Sequence, residues 1–225
     1  MGAPIELVIF DCDGVLVDSE PISVQIDMLV LERVGMPMSR AEVINRFVGR
    51  SPAVMRAAIQ QHLGEPLSPV LVQEFERLYE NAFEEQLRAV NGIHEALAGI
   101  SYPTCVASSS EPASLRYKLK LVGLYEQFAG RIFSASEVKR GKPAPDLFVY
   151  AAERMGARPE ACVVIEDSQY GVQAARAAGM DVFAYASELV DARLLTGERT
   201  VLFDDMRALP SMLAAGESQR LALGS

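Results

Sequence analysis

The sequence predicts an α/β protein: an open parallel sheet with helices on both faces, interrupted after its first strand by an all-helical insert. Two patterns predict it. From residue 91 onward, short apolar runs alternate with amphipathic stretches, and strand and helix in alternation build a parallel sheet. Between residues 20 and 90, helix start and stop signals follow one another with no strand-like run among them. A chain of 225 residues, half of them apolar, is long enough for one good core plus a small second one.

The elements follow in order. "IELVIF" (5–10) is an apolar run that ends at Asp11 and reads as a buried strand. A helix from Ile22 to Val34 stops at Gly35 and Pro37. "SRAE" (39–42) is a capping box opening a helix that carries Val43, Ile44 and Phe47. "SP" at 51–52, and again at 68–69, sets an N-cap before a proline in the first turn. The first of these helices carries Met55, Ala58, Ile59 and His62 on one face and closes at Gly64; the second carries Leu71, Phe75, Leu78 and Ala82. After Asn91-Gly92 come a short helix (93–99), the strand "TCVASSS" (104–110), a helix (112–122) closed by Gly123, and the strand "RIFSA" (131–135). A helix at 145–155 ends at Gly156, and "CVVIEDS" (162–168) is a strand that ends in acid. The helix 171–178 stops at Gly179, the strands "DVFAYA" (181–186) and "TVLFDD" (200–205) follow, and a closing helix covers 207–215, with a loose tail from Ala215. The expected division is therefore a Rossmann-like parallel-sheet core of residues 1–19 and 91–225, with residues 20–90 as an α-helical cap domain over the sheet's carboxyl edge.

Composition excludes several classes of function. Net charge is −9 with no Lys/Arg cluster, which argues against nucleic acid as a partner. No apolar run approaches the ~20 residues of a membrane span, so no membrane partner is expected. The N-terminus goes almost at once into "IELVIFD", without a basic region or cleavage site, so no signal peptide is expected. Cys12, Cys105 and Cys162 lie in or beside apolar runs and form no C-x-x-C pair; they read as reduced, buried thiols of a cytoplasmic protein. With His62 and His94 as the only histidines, a three-His metal site is impossible.

What remains is acid at the strand ends. Ligands of an open parallel sheet bind beyond the carboxyl ends of its strands. Asp11 and Asp13 follow the first strand, Ser108 and Ser109 the strand at 104–107, and Glu166 and Asp167 the strand at 162–165; Lys142 lies in a Gly-Lys-Pro loop. Asp and Gly are ordinary turn residues, but carboxylates held this close resist burial unless a cation sits among them. The set suits phosphoryl transfer. Asp11 and Asp167 can hold Mg²⁺, and Ser108 and Lys142 can hold phosphate oxygens. Asp11 can act as nucleophile and Asp13 as general acid and base. Asp18 reads as a structural residue satisfying turn amides.

The motifs "DCDGVLVDS" (11–19), "VASSS" (106–110), "GKPAPD" (141–146) and "VIEDSQYG" (164–171) occur in that order and span nearly the whole chain. Together they resemble a haloacid dehalogenase (HAD) superfamily phosphatase with a helical cap, of the beta-phosphoglucomutase and sugar-phosphatase branch. The resemblance implies Asp11 as nucleophile and Asp13 as acid/base. It implies a Mg²⁺ ion held by Asp11, the main-chain carbonyl of Asp13, and Asp167, with Glu166 joining through water. Ser108, Ser109 and Lys142 would hold the phosphate. A phosphonate hydrolase of this family would carry a Schiff-base lysine in the cap, and residues 20–90 contain no lysine. The mutases carry a histidine where this chain has Ser23, and a cap lysine absent here; both departures favour water as acceptor over a sugar, although the mutase remains the alternative. A non-catalytic protein binding a phosphometabolite would lack the nucleophile or the acid/base, and both are present. "FVGRSP" (47–52) falls where the family selects substrate, which makes Arg50 a candidate for holding the rest of the molecule. The expected partner is a small phosphate ester, with the chain acting as a monomer or weak dimer.

Overall fold

The computed structural model describes residues 4–222 except residue 188. Six strands form one parallel sheet: β1 (Leu7–Phe10), β2 (Thr104–Ser108), β3 (Ile132–Ser134), β4 (Cys162–Glu166), β5 (Asp181–Tyr185) and β6 (Thr200–Phe203). Their spatial order is β3-β2-β1-β4-β5-β6. β1 therefore lies in the middle, with Phe10 level with Val106 of β2 on one side and Ile165 of β4 on the other. A strand covered on both faces has no polar side, which is why "LVIF" and "CVVI" show no alternation.

The alternation appears instead in where successive side chains go. Leu7, Ile9, Cys105, Ala107, Cys162 and Val164 face one layer with Phe148, Ala151, Val172 and Ala175. These last belong to α8 (Asp146–Met155) and α9 (Gln169–Ala177). Val8, Phe10, Val106 and Ile165 face the other layer. There they meet α5 (Ile93–Gly99), α6 (Pro112–Leu121), the one-turn α7 (Tyr125–Phe128) and α11 (Leu209–Ala222). A short α10 (Ala192–Leu195) precedes β6. The cysteines are buried and form no disulfide.

The insert between β1 and β2 begins with α1 (Glu20–Arg33), α2 (Arg40–Phe47), α3 (Pro52–Leu63) and α4 (Pro69–Gln86). The expected signals operate locally. Ser39 and Glu42 close the capping box, Ser68 accepts from Leu71 N, and Gly64 ends α3 at φ 73°. α1 packs on α2 and α4. Its apolar residues, Val30 and Leu31 among them, join Phe75 and Phe83 of α4 in a core continuous with the Phe10 face of the sheet. The two clusters are thus divided by the sheet, not by the boundary of the insert. The chain enters and leaves the insert side by side: Asp18 N donates to Arg88 O at 2.9 Å and Val90 N to Leu16 O at 3.1 Å.

Two expectations are corrected. The segment after Ala215 is helical through Ala222, and Glu217 fastens it by accepting from Ile5 N (3.2 Å) and Tyr102 Oη (2.8 Å). Those donors lie 212 and 115 residues away in the chain, so no local pattern announces them. Asp18 is exposed, and it is its backbone N–H, through Arg88, that contributes to the fold.

Within the insert Tyr79 of α4 donates a hydrogen bond to Asp27 of α1. Burial pushes the Asp27 carboxyl up to about 6, against the lowering effect of Tyr79. An acid with a raised folded pKa contributes stability that is present below its unfolded value and lost as pH rises through the folded one. Asp27→Asn, which keeps an acceptor for Tyr79, should therefore melt with the wild type near pH 4. At pH 8 it should be more stable by about 1–2 kcal/mol, or roughly 2–8 °C in Tm. Thermal melts at the two pH values check this; a gap that does not depend on pH would contradict it.

Candidate active site

The strand order reverses at β1, and the crevice of such a sheet opens beyond the carboxyl ends at that point. Asp11 follows β1 there, and its N–H donates to Ile165 O at 2.9 Å, which holds it level with the end of β4. The chain then turns sharply. Gly14 sits at φ 76°, and a Cβ on it would fall 1.9 Å from Asp167 Oδ2. Glycine is needed twice over, for the left-handed backbone and for the Asp167 carboxylate that lies against it.

A first ion cluster centres on Lys142. Its ammonium lies 2.9 Å from Asp11 Oδ1 and 2.6 Å from Glu166 Oε1, all three side chains being buried. The other oxygen of Glu166 accepts from Asp167 N (2.9 Å), Ser168 N (2.8 Å) and Ser168 Oγ (2.9 Å). Glu166 thus braces Lys142 and the turn into α9 at once. The helix leaves room for it through Gly171, where a Cβ would fall 1.7 Å from Glu166 Oε1. Asp11 Oδ1 is less well served: Lys142 neutralises it, but off the line a hydrogen bond requires. Burial pushes the Asp11 carboxyl up to about 7, Lys142 opposing and Glu166 and Asp13 adding to the rise. Asp167 is pushed up as well, first by burial and then by Glu166.

A second cluster holds Asp13. Its Oδ1 accepts from Lys118 Nζ and, at 2.6 Å, from Ser19 Oγ; its Oδ2 accepts from Ser110 Oγ at 2.7 Å. Burial alone would raise this carboxyl, but the Lys118 ammonium and the hydrogen bonds hold it below the usual range. Ser108, at the end of β2, is buried and accepts from Ser110 N at 3.1 Å; Ser109 is half-buried in the same turn. Glu20, in the first turn of α1, is pushed up to about 8 by burial and by the nearby Asp13.

Asp11, Asp13, Ser108, Ser109, Lys142, Glu166 and Asp167 therefore all lie at the carboxyl ends of β1, β2 and β4 or in the loops beside them. Arg50 comes from the insert: it is half-buried, with its guanidinium 5.1 Å from the centre of the Tyr170 ring at the start of α9. Beside it Gly49 packs on Ser168, where a Cβ would fall 2.4 Å from Ser168 Cβ. His62 and His94 are exposed. Sequence reasoning missed Ser19, Ser110 and Lys118. Lys118 had left a signal: it interrupts the buried stripe of α6 between Leu115 and Leu119, a place where an apolar residue is expected.

Carboxylate oxygens of Asp11, Glu166 and Asp167 lie within 4.8 Å of one another, all buried. An all-oxygen set of buried acids with raised pKa values fits a hard divalent cation. Asp11 and Asp167 offer the open donors, because the Glu166 oxygens are already taken by Lys142 and three hydrogen bonds.

Comparison with known proteins agrees with this geometry. The family model described as haloacid dehalogenase-like hydrolase matches residues 5–179. The chain is 30% identical to the 6-phosphogluconate phosphatase of Escherichia coli (strain K12) over 188 residues, 82% of this chain and 84% of that protein. It is 31% identical to the fructose-1-phosphate phosphatase YqaB of the same organism, over 83% of this chain and 96% of that protein. A conserved haloacid dehalogenase-like protein of unknown function from Agrobacterium tumefaciens str. C58 superposes with a TM-score of 0.78 at 36% identity, covering 94% of this chain and 99% of that one.

The packing of Gly171 on Glu166 is open to a test whose sign decides. Alanine for glycine inside a helix ordinarily stabilises by about 1 kcal/mol. Here the new methyl must displace a carboxylate from a buried ion pair, a loss of about 3–5 kcal/mol. Gly171→Ala should therefore destabilise, by roughly 2–4 kcal/mol in urea unfolding once the helical gain is subtracted. A more stable variant would show that Glu166 does not occupy the space beside Gly171.

Proposed function

The chain belongs to the haloacid dehalogenase-like hydrolases, and we propose that it is a Mg²⁺-dependent phosphatase. In this reading it hydrolyses a small phosphorylated sugar or sugar acid through an aspartyl phosphate on Asp11. The observation that carries the reading is the pair of buried clusters at one sheet edge: a carboxylate beside Lys142, and a second carboxylate held apart from it by Lys118, Ser19 and Ser110.

The chemistry follows from those positions. An Asp11 carboxylate oxygen attacks phosphorus as the bond to the leaving alkoxide breaks, and the leaving-group oxygen takes the proton that Asp13 carries into this step and recovers from water in the next. Asp13, now a carboxylate, then accepts a proton from water as the water oxygen attacks phosphorus. Phosphate leaves and Asp11 is regenerated. Ser108 and Ser109 at the end of β2, with Lys142, hold the phosphoryl oxygens. Lys142 also opposes the rise that burial imposes on the Asp11 carboxyl. Held by Asp11, the main-chain carbonyl of Asp13, and Asp167, with Glu166 behind them, Mg²⁺ would add the positive charge that phosphoryl transfer needs. The absence of lysine from residues 20–90 and the serine at Ser23 support water over a second sugar as acceptor.

The rest of the substrate is assigned to the insert, acting as a cap. The two curated relatives act, by name, on 6-phosphogluconate and fructose 1-phosphate, which supports a sugar or sugar-acid phosphate here. Arg50 lies beside the Ser168 turn, and in this reading it holds a carboxylate, hydroxyl or second phosphate of the substrate.

Two tests follow. Phosphate release from a panel of phosphorylated metabolites and from p-nitrophenyl phosphate should require Mg²⁺, stop in excess EDTA, and fall to background in Asp11→Asn. Mg²⁺ should also raise the melting temperature of the wild type, and less so that of Asp167→Asn; activity undiminished by EDTA would remove the metal from the reading. Arg50→Ala should lower kcat/KM on the best sugar phosphate by about ten- to a hundredfold, the loss of a hydrogen bond to a charged group. It should leave p-nitrophenyl phosphate nearly unchanged. An equal loss on both would place Arg50 in the catalytic centre or in folding.

A further inference from the structure

Lys118 is a charged residue in a place built for an apolar one. It shares the buried face of α6 with Leu115 and Leu119 and is only 3% exposed. Phe83 of α4 covers it, with the ring centre 5.8 Å from the ammonium. Its one ion pair among the described residues is with Asp13, and it donates a further hydrogen bond to Ser110 Oγ at 3.0 Å. Stability does not account for this choice. A buried ion pair is commonly no better than well-packed apolar residues of the same volume, and Leu115 and Leu119 show what such a residue would be.

The contacts have a direction. Lys118 and Ser19 take one oxygen of Asp13, and Ser110 takes the other. With both oxygens engaged, the carboxylate cannot rotate freely about its Cβ–Cγ bond. Ser110 in turn is fastened to the phosphate-side loop: its N–H donates to Ser108 Oγ at 3.1 Å, and its carbonyl accepts from Ser134 Oγ at 2.8 Å. The Lys118–Ser110–Asp13 triangle thus ties the Asp13 carboxylate to the end of β2, across 105 residues of sequence between Asp13 and Lys118.

We propose that Lys118 is a positioning residue that aims the Asp13 carboxylate at the leaving-group oxygen by holding it against Ser110. The proposal rests on the reading of Asp13 as acid and base. It assigns Lys118 no contact with the substrate. Its effect is on proton transfer, and misplacement of a reacting group by about 1 Å can cost on the order of a hundredfold.

The test compares phenyl phosphate with p-nitrophenyl phosphate, because phenolate is the poorer leaving group and depends more on a proton from Asp13. Lys118→Met keeps the stem and removes the charge; Lys118→Gln is the alternative should the Met variant not fold, with melting curves recorded for both. The expected result is a loss of roughly 10–100-fold in kcat on phenyl phosphate, a smaller loss on p-nitrophenyl phosphate, and KM unchanged within about threefold. Placed on Asp13→Asn, the same change should cost less than about threefold more, since residues acting through one another are not additive. Equal losses on the two esters, full additivity with Asp13→Asn, or no loss at all would overturn the positioning role. If Asp13→Asn alone kept wild-type turnover on phenyl phosphate, the reading of Asp13 would fall, and the proposal with it. If Asp13→Asn were inactive while Lys118→Met kept the wild-type kcat on phenyl phosphate, only the proposal would fall.

Discussion

The crevice depends on the buried ammonium of Lys142, held between Asp11 and Glu166. Without it two carboxylates at the ends of neighbouring strands would face each other in a medium that hardly screens charge. With it, Glu166 has a counter-charge at zero exposure, and its second oxygen organises the backbone of the turn that carries Asp167 and Ser168. One ion pair therefore sets the direction of Asp11, the course of the β4–α9 turn, and the requirement for glycine at Gly171. The charges still do not balance. Asp11, Asp13, Glu20, Glu166 and Asp167 outnumber Lys142 and Lys118, and the carboxyls of Asp11, Glu20 and Asp167 are pushed up, first by burial and then by the neighbouring acids. The proposed function puts a cation and a phosphate at this place, where perturbed carboxyls are a common mark of a functional site.

The second cluster does a different job with similar parts. Lys142 sits among competing acids, whereas Lys118 and two hydroxyls converge on Asp13 alone. The environments of the two aspartates diverge accordingly, one pushed up by burial, the other held down by its partners. Two chemically identical side chains, two residues apart in sequence, can then take different parts in one reaction.

The insert is coupled to this centre along several lines. Its apolar interior is continuous with the Phe10 face of the sheet. Its entry and exit segments are hydrogen-bonded to each other at Asp18–Arg88 and Leu16–Val90. Ser19, at its first turn, reaches Asp13, and Phe83 covers Lys118. On the far side of the crevice Gly49 and Arg50 rest on Ser168 and Tyr170. A displacement of the insert would therefore be felt at both clusters, as interfaces of packed side chains shift between discrete arrangements and do not deform smoothly.

Much of this was legible before any coordinates. Apolar runs, capping signals and left-handed glycines are local, so the alternation of strand and helix, the all-helical insert and the strand-end acids could be read from residues a few positions apart. The positions of Asp11, Ser108, Lys142, Glu166 and Asp167 followed, because a parallel sheet gathers its carboxyl ends at one edge whatever the strand order. The order itself, and with it the meeting of β1 with β4, is a matter of long-range pairing. So are the helical tail fastened by Glu217 and the hold of Lys118 on Asp13. A lysine in a helix is ordinarily a solvated surface residue, and its sequence neighbours cannot say which face the sheet and the insert will cover. Once that face is buried an ammonium needs a counter-charge, and Asp13, a hundred residues earlier, is the group the fold brings to it.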